Sequence, residues 1–196
     1  MSRTAVVTTE VFTFSELGPK ARQKAIDNRT EEAGQYWEAG WLVKQWVEKL
    51  EAMGFEDVEI NYSGFSSQGD GASFTSSKFD LCHMLKQFQL ISKVPNLFRK
   101  FKEYDYFSAH HCTVRSICNN YSHYNTVRVE IEEYAAEHPQ QELARELLTE
   151  AVRDLCKQIY KELETSYDHD TSEAQAIAYL EDNEEENEFT EEGSEY

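Results

Sequence analysis

Basic residues stop early in this sequence. Nothing after Lys161 is lysine or arginine, while the last 35 residues carry 14 aspartates and glutamates. Up to Lys161 there are 23 acids against 19 bases, so the formal charge of −18 belongs mostly to the C-terminal segment. Residues 181–196 hold nine acids and almost no aliphatic side chains. That composition cannot bury enough apolar surface to offset ordering, and it predicts a disordered acidic tail. Such a tail could stay solvated or dock on a basic partner. Mimicry of a nucleic acid would need the charge laid out on a folded surface, so it has least in its favour.

Long apolar runs are also missing. No stretch approaches the roughly 18 residues that a membrane helix needs, and the chain opens on nothing that resembles a signal peptide. The four cysteines, Cys82, Cys112, Cys118 and Cys156, are scattered without close pairing. These absences lead us to expect a soluble protein of a reducing compartment, the cytoplasm, with free thiols, no membrane partner and no cofactor. Forty per cent hydrophobic residues, with 11 Phe, 11 Tyr and 3 Trp, suffice for one ordinary core. We expect a single α+β domain over residues 1–165, then a short helix and the tail over 166–196.

Taken in order, residues 4–14 are rich in β-branched and aromatic side chains and predict a first strand. Ser15 offers an N-cap for a helix to about Arg29, with Pro19 early enough to be tolerated. A second helix through Tyr36, Trp37 and Trp41 to Met53 repeats Leu42, Val43, Trp46, Val47 and Leu50 at helical spacing, with Gly54 as its stop. The tryptophans read as core anchors more readily than as ligand platforms. Strands are expected at Phe55–Tyr62 and Gly71–Thr75, and a helix from Phe79 to about Ile91. A further turn or short helix should start at Pro95 and carry the small basic group Arg99, Lys100 and Lys102, more readily a solvated face than a phosphate contact. Tyr104–Phe107 and Cys112–Cys118 read as extended. Asn119-Asn120 would turn the chain into a half-buried strand over Tyr124–Tyr134, where Val127, Val129 and Ile131 alternate with charged residues. From Pro139 a long helix should bury the stripe Leu143, Leu147, Leu148, Val152, Leu155, Ile159 and Leu163, and Thr171 can cap a last short helix. The expected fold is an antiparallel sheet of about five strands with helices on one face.

The stretch most unlike ordinary structure is Asn61–Phe74, which holds three of the eight glycines, two of them bracketing Asp70. Strand, glycine-rich bend, strand is its plain reading, with Gln68 and Asp70 presented at the bend. Outward-facing amides at such a bend can build a ligand site, though a purely structural turn fits equally well. Neither a phosphate loop nor a dinucleotide fingerprint is present, and no Ser or Cys stands in a nucleophile motif. His110-His111-Cys112, Cys118 and His123 are soft ligands close in sequence. Their spacing is not that of common zinc sites, and a regular strand would separate Cys112 from Cys118 by about 20 Å. No metal is expected. His123, beside Tyr121 and Ser122, is the histidine best placed for proton transfer or binding. The candidate site is therefore Ser67, Gln68, Gly69, Asp70 and Gly71 together with Tyr121, Ser122 and His123, drawn onto one surface of the sheet.

Three pieces resemble a family of small accessory proteins of tailed phages and prophages. They are Phe14-Ser15-Glu16-Leu17 with Lys20–Ala25, then Ser63-Gly64-Phe65-Ser66-Ser67-Gln68-Gly69-Asp70-Gly71-Ala72, and finally Tyr121–Thr126 before a strand. The central piece is similar to that family's Ser-Gly-Phe-x-Ser-Gln-Gly-Asp-Gly-Ala core. Ser66 stands where an aromatic is frequent, and Tyr124 where a small residue is usual. The resemblance implies a protein acting in the cytoplasm of an infected bacterium, with no established reaction. On it rests the expectation of a non-enzymatic, anti-CRISPR-like anti-defence protein that inhibits or redirects a host protein or nucleoprotein complex, without itself contacting nucleic acid. The alternative is a small nucleotide-binding or phosphoester-hydrolysing protein using Asp70 and His123.

Overall fold

The computed structural model describes residues 10–103, 111–118, 121–131 and 139–196. Expectations at residues 4–9, Tyr104–Phe107, His110, Asn119-Asn120 and the strand end at 132–134 lie outside these. The chain divides into two compact units, one of residues 39–164 and one of residues 1–38 with 165–196. One division falls between residues 164 and 165, and the segment before Ala39 groups with the C-terminal residues.

The larger unit is α+β. Helix α2 (Gly40–Ala52) buries Leu42, Trp46 and Leu50, and stops at Gly54, whose φ of 102° suits a residue without a β-carbon. Strands β1 (Glu59–Tyr62), β2 (Ala72–Asp80), β3 (His111–Ser116) and β4 (Val127–Ile131) form one antiparallel sheet in the order β1-β2-β3-β4. Four strands, then, stand among the described residues where about five were expected. β2 runs five residues past its expected end at Thr75 and takes in Phe79. A register shift between Ser76 and Phe79 breaks the alternation there, with Ser76 donating its hydroxyl to the carbonyl of Glu56 at 2.7 Å. Helix α3 (Leu81–Gln87) therefore starts later than expected, capped by the Asp80 carboxylate on the His83 amide at 2.6 Å. Helix α4 (Pro95–Glu103) starts at Pro95 as expected.

Phe55 meets Phe74 and Phe79 edge to face, each at 5.2 Å, in the middle of the core. The long helix α5 (Gln141–Asp170) buries Ala144, Leu148, Val152, Leu155, Cys156, Ile159 and Leu163. Leu143, expected in that stripe, is exposed, and Ala144 takes its place. α5 also protects the sheet edge. The Val129 amide donates to Thr149 Oγ1 at 3.1 Å, and the Arg153 guanidinium donates to the Val127 carbonyl at 3.1 Å. Only one of the three tryptophans is a buried anchor: Trp46 is 2 % exposed and donates to Glu162, whereas Trp41 is 63 % exposed.

In the smaller unit, Phe14–Glu16 makes a single 3-10 turn before α1 (Pro19–Gln35). Helix α6 (Glu173–Asp182) is capped by Ser172, one residue after the expected Thr171. Trp37 belongs here, its indole donating to Asp170 at 3.1 Å and meeting Tyr167 edge on. The first strand expected from residue 4 is reduced, among its described residues, to a bridge between Phe12 and Phe189. Their amides and carbonyls exchange two hydrogen bonds of 2.9 Å. This corrects the expectation of a disordered tail. Phe189 is 2 % exposed and joins Phe14, Leu17, Ala21, Ala25, Ile26, Ala176 and Leu180 in one core. A single aromatic anchor outweighs the acidic composition around it.

Candidate functional site

The bend between β1 and β2 is built by its own side chains. Ser63 and Gly71 close its neck, the Ser63 amide donating to the Gly71 carbonyl and the Gly71 amide to Ser63 Oγ, each at 3.0 Å. Inside the loop, Asp70 Oδ2 accepts from the amides of Ser66 and Ser67 at 2.8 and 2.6 Å. A carboxylate satisfying two loop amides is a structural acid first. Ser66, Ser67 and Gln68 remain exposed at the tip.

The second segment, Tyr121–His123, precedes a single 3-10 turn at Tyr124–Thr126 that leads into β4. Thr126 fixes it by donating from its amide and hydroxyl to the His123 carbonyl, at 2.9 and 2.7 Å. His123 Nδ1 accepts from the Asn125 amide at 3.1 Å, which requires that nitrogen to be unprotonated. Desolvation moves the His123 pKa down from its ordinary value, so the ring is neutral near pH 7.

The two segments meet. Ser63 Oγ donates to the Ser122 carbonyl at 3.3 Å. A β-carbon on Gly69 would stand 2.9 Å from the Tyr121 hydroxyl, and one on Gly71 would stand 2.7 Å from His123 Cδ2. Glycine at both positions is what lets the loop lie against the Tyr121–His123 segment. Asp70 and His123 share this surface without forming a pair. The bonds of Asp70 go to Ser66 and Ser67, and that of His123 Nδ1 goes to Asn125.

Two groups of stacked rings complete the surface. Phe65 stacks on Tyr62 at 6.1 Å and on Tyr160 of α5 at 5.7 Å, and the Tyr160 hydroxyl reaches the Gly64 carbonyl at 3.4 Å. Tyr121 stacks on His123 at 5.6 Å, and His123 lies 4.1 Å from Tyr124. Lys157 of α5 sits 4.9 Å from the Tyr124 ring and donates to Asp154 at 2.8 Å. Its hydrogen bond to Asp154 raises the Lys157 pKa. Tyr62 and Tyr121 are 36 % and 40 % exposed. Sequence reasoning missed Tyr160 and Lys157, which arrive from a helix far along the chain. The one local signal was an aromatic side chain set off the apolar stripe of α5.

Among its described members, the soft-ligand group is not assembled as a site. His110 lies outside the described residues, Cys112 is buried in β3 opposite Ile131, and His123 is engaged as above. Among the described residues, no group of three or more His, Cys, Asp or Glu side chains could hold a metal ion. All four cysteines are outside disulfides, and burial raises the Cys82 pKa to about 11 and the Cys156 pKa to about 12. Neither thiol is an activated nucleophile. Among the described residues, no helix is long and apolar enough to cross a membrane.

A family described as a domain of unknown function, DUF8835, matches residues 36–173, more than two thirds of the chain and every residue of the surface just described. No curated protein and no solved structure matches.

Proposed function

The chain belongs to the DUF8835 family, and from that premise we propose that it is a binding protein whose contact surface is the glycine-rich bend joined to Tyr121–His123. We assign it the role of a phage-encoded accessory protein, acting in the bacterial host cytoplasm, that binds and inhibits or redirects a host defence factor. The resemblance of Ser63–Ala72 to a phage family motif supports the setting. One observation carries the binding reading: two polar segments some 50 residues apart are held together by Ser63, Gly69 and Gly71, with exposed Gln68 and Tyr121 at the junction. Polar and aromatic side chains fixed on a rigid support are what recognition surfaces are made of.

The hydrolytic alternative has less behind it. Asp70 already serves two loop amides, and His123 Nδ1 already accepts from Asn125. A general base would need one of them to face a substrate proton.

The test is capture from host lysate with the full chain as bait, beside a Gln68→Ala/Tyr121→Ala variant and a Glu142→Gln control on the exposed start of α5. We expect a discrete partner that the control retains and the double variant loses. Equal capture by all three, or turnover of any cyclic or linear nucleotide in a parallel panel, overturns the reading.

A further inference from the structure

Resting on that binding reading, we propose that the surface at Tyr121 receives an arginine side chain from a flexible segment of a basic partner. The Tyr121 ring ends a stack that continues through His123 to Tyr124, with the Lys157 ammonium at the far end. Tyr121 itself is 40 % exposed, and the exposed Ser67 and Gln68 belong to the loop whose Gly69 packs on its hydroxyl and the ring carbons beside it. A stack with an accessible terminal ring extends by one more planar group, and beside it lie a hydroxyl and an amide carbonyl that can accept hydrogen bonds. A guanidinium satisfies both requirements, since it is planar and purely a donor. A nucleobase would also stack, but it comes with phosphate. The larger unit carries 19 acids against 14 bases, and the two cations near this surface are already engaged, Lys157 with Asp154 and Arg153 with the carbonyls of Asn125 and Val127. Charge therefore selects the guanidinium over the nucleotide. The same chemistry occurs within the chain, where the Arg29 guanidinium lies 3.6 Å over the Tyr179 ring and that of Arg22 lies 5.0 Å over Phe14.

The full chain is titrated calorimetrically, at about physiological ionic strength, with two peptides of equal length and charge, one of Arg-Gly repeats and one of Lys-Gly repeats, and with AMP. Tyr121→Ala, Tyr121→Phe and Gln68→Ala are run in parallel, each first shown to melt as wild type does. Tighter binding of the arginine peptide than of the lysine peptide is expected. Tyr121→Ala should weaken it about fivefold, while Tyr121→Phe retains it. Equal binding of both peptides, unchanged in Tyr121→Ala, would mean diffuse attraction to acidic residues and would overturn the inference. So would AMP binding that is lost in Tyr121→Ala. If neither peptide binds while Tyr121→Ala still loses the lysate partner, the arginine inference falls and the binding reading stands. If the arginine peptide binds through Tyr121 while lysate capture ignores that residue, the inference stands and the binding reading falls.

Discussion

Gly71 lies so close to His123 that a β-carbon on it would stand 2.7 Å from the ring's Cδ2 and 3.1 Å from the histidine's Cα. The second distance is to backbone, which cannot swing aside as a side chain can. At Gly69 the closest atom is the Tyr121 hydroxyl, at the free end of its side chain. Gly71→Ala should therefore destabilise the protein by about 1–3 kcal/mol, and Gly69→Ala by clearly less. Urea unfolding of the two variants checks the order. Equal losses would mean that the loop does not rest on the His123 backbone.

Phe189→Ala removes a 2 % exposed aromatic from the core of the smaller unit. A loss of about 3–5 kcal/mol is expected, and deletion of residues 183–196 should cost at least as much. A solvated tail predicts no change for either variant. Calorimetric melting tells the two apart.

His123 holds its pKa below the ordinary 6.5 because the ring is desolvated. The unfolded chain then takes up the proton at higher pH than the folded one. The stability this histidine contributes is complete above pH 6.5 and is lost as pH falls through the lower folded value. The slope of stability against pH between about 7 and 5 should flatten in His123→Asn. An unchanged slope would show that other groups govern this range.

Cys82 and Cys156 have pKa values raised to about 11 and 12, and Cys112 is wholly buried. Alkylation of the native protein at about pH 8 should spare all three, and denaturant should expose them. Cys118, half-buried, is the thiol expected to react first. Rapid native labelling of Cys156 would contradict the packing of α5.

Some of this architecture could be read from the residues alone. Leu42, Trp46 and Leu50 repeat at helical spacing before Gly54, and α2 buries those three. Val127, Val129 and Ile131 alternate with charges, and β4 follows. β2 was harder, because the register shift after Ser76 interrupts its period and made Phe79 look like the start of a helix. The C-terminal segment was misread for a different reason. Its composition is a sum over many residues, whereas its placement depends on one, Phe189, paired with Phe12 at the other end of the chain. At the candidate site, the glycines and the Tyr121–His123 segment stood out by pattern. The role of Asp70 did not, since a carboxylate serving loop amides and one facing solvent look alike in sequence. Tyr160 and Lys157 could not be placed there without knowing which side of α5 meets the bend.

The smaller unit is assembled from both ends of the chain, with the larger one inserted between them. This imposes an order on folding during synthesis. The larger unit has all its residues once Glu164 has emerged, at a point when the first 38 residues still lack their partners. At roughly 5–20 residues per second of translation, α1 must wait for α6 and Phe189, its apolar side uncovered until residue 189 has emerged. A stop between Glu164 and Phe189 would release a completed sheet domain carrying an unpaired helix.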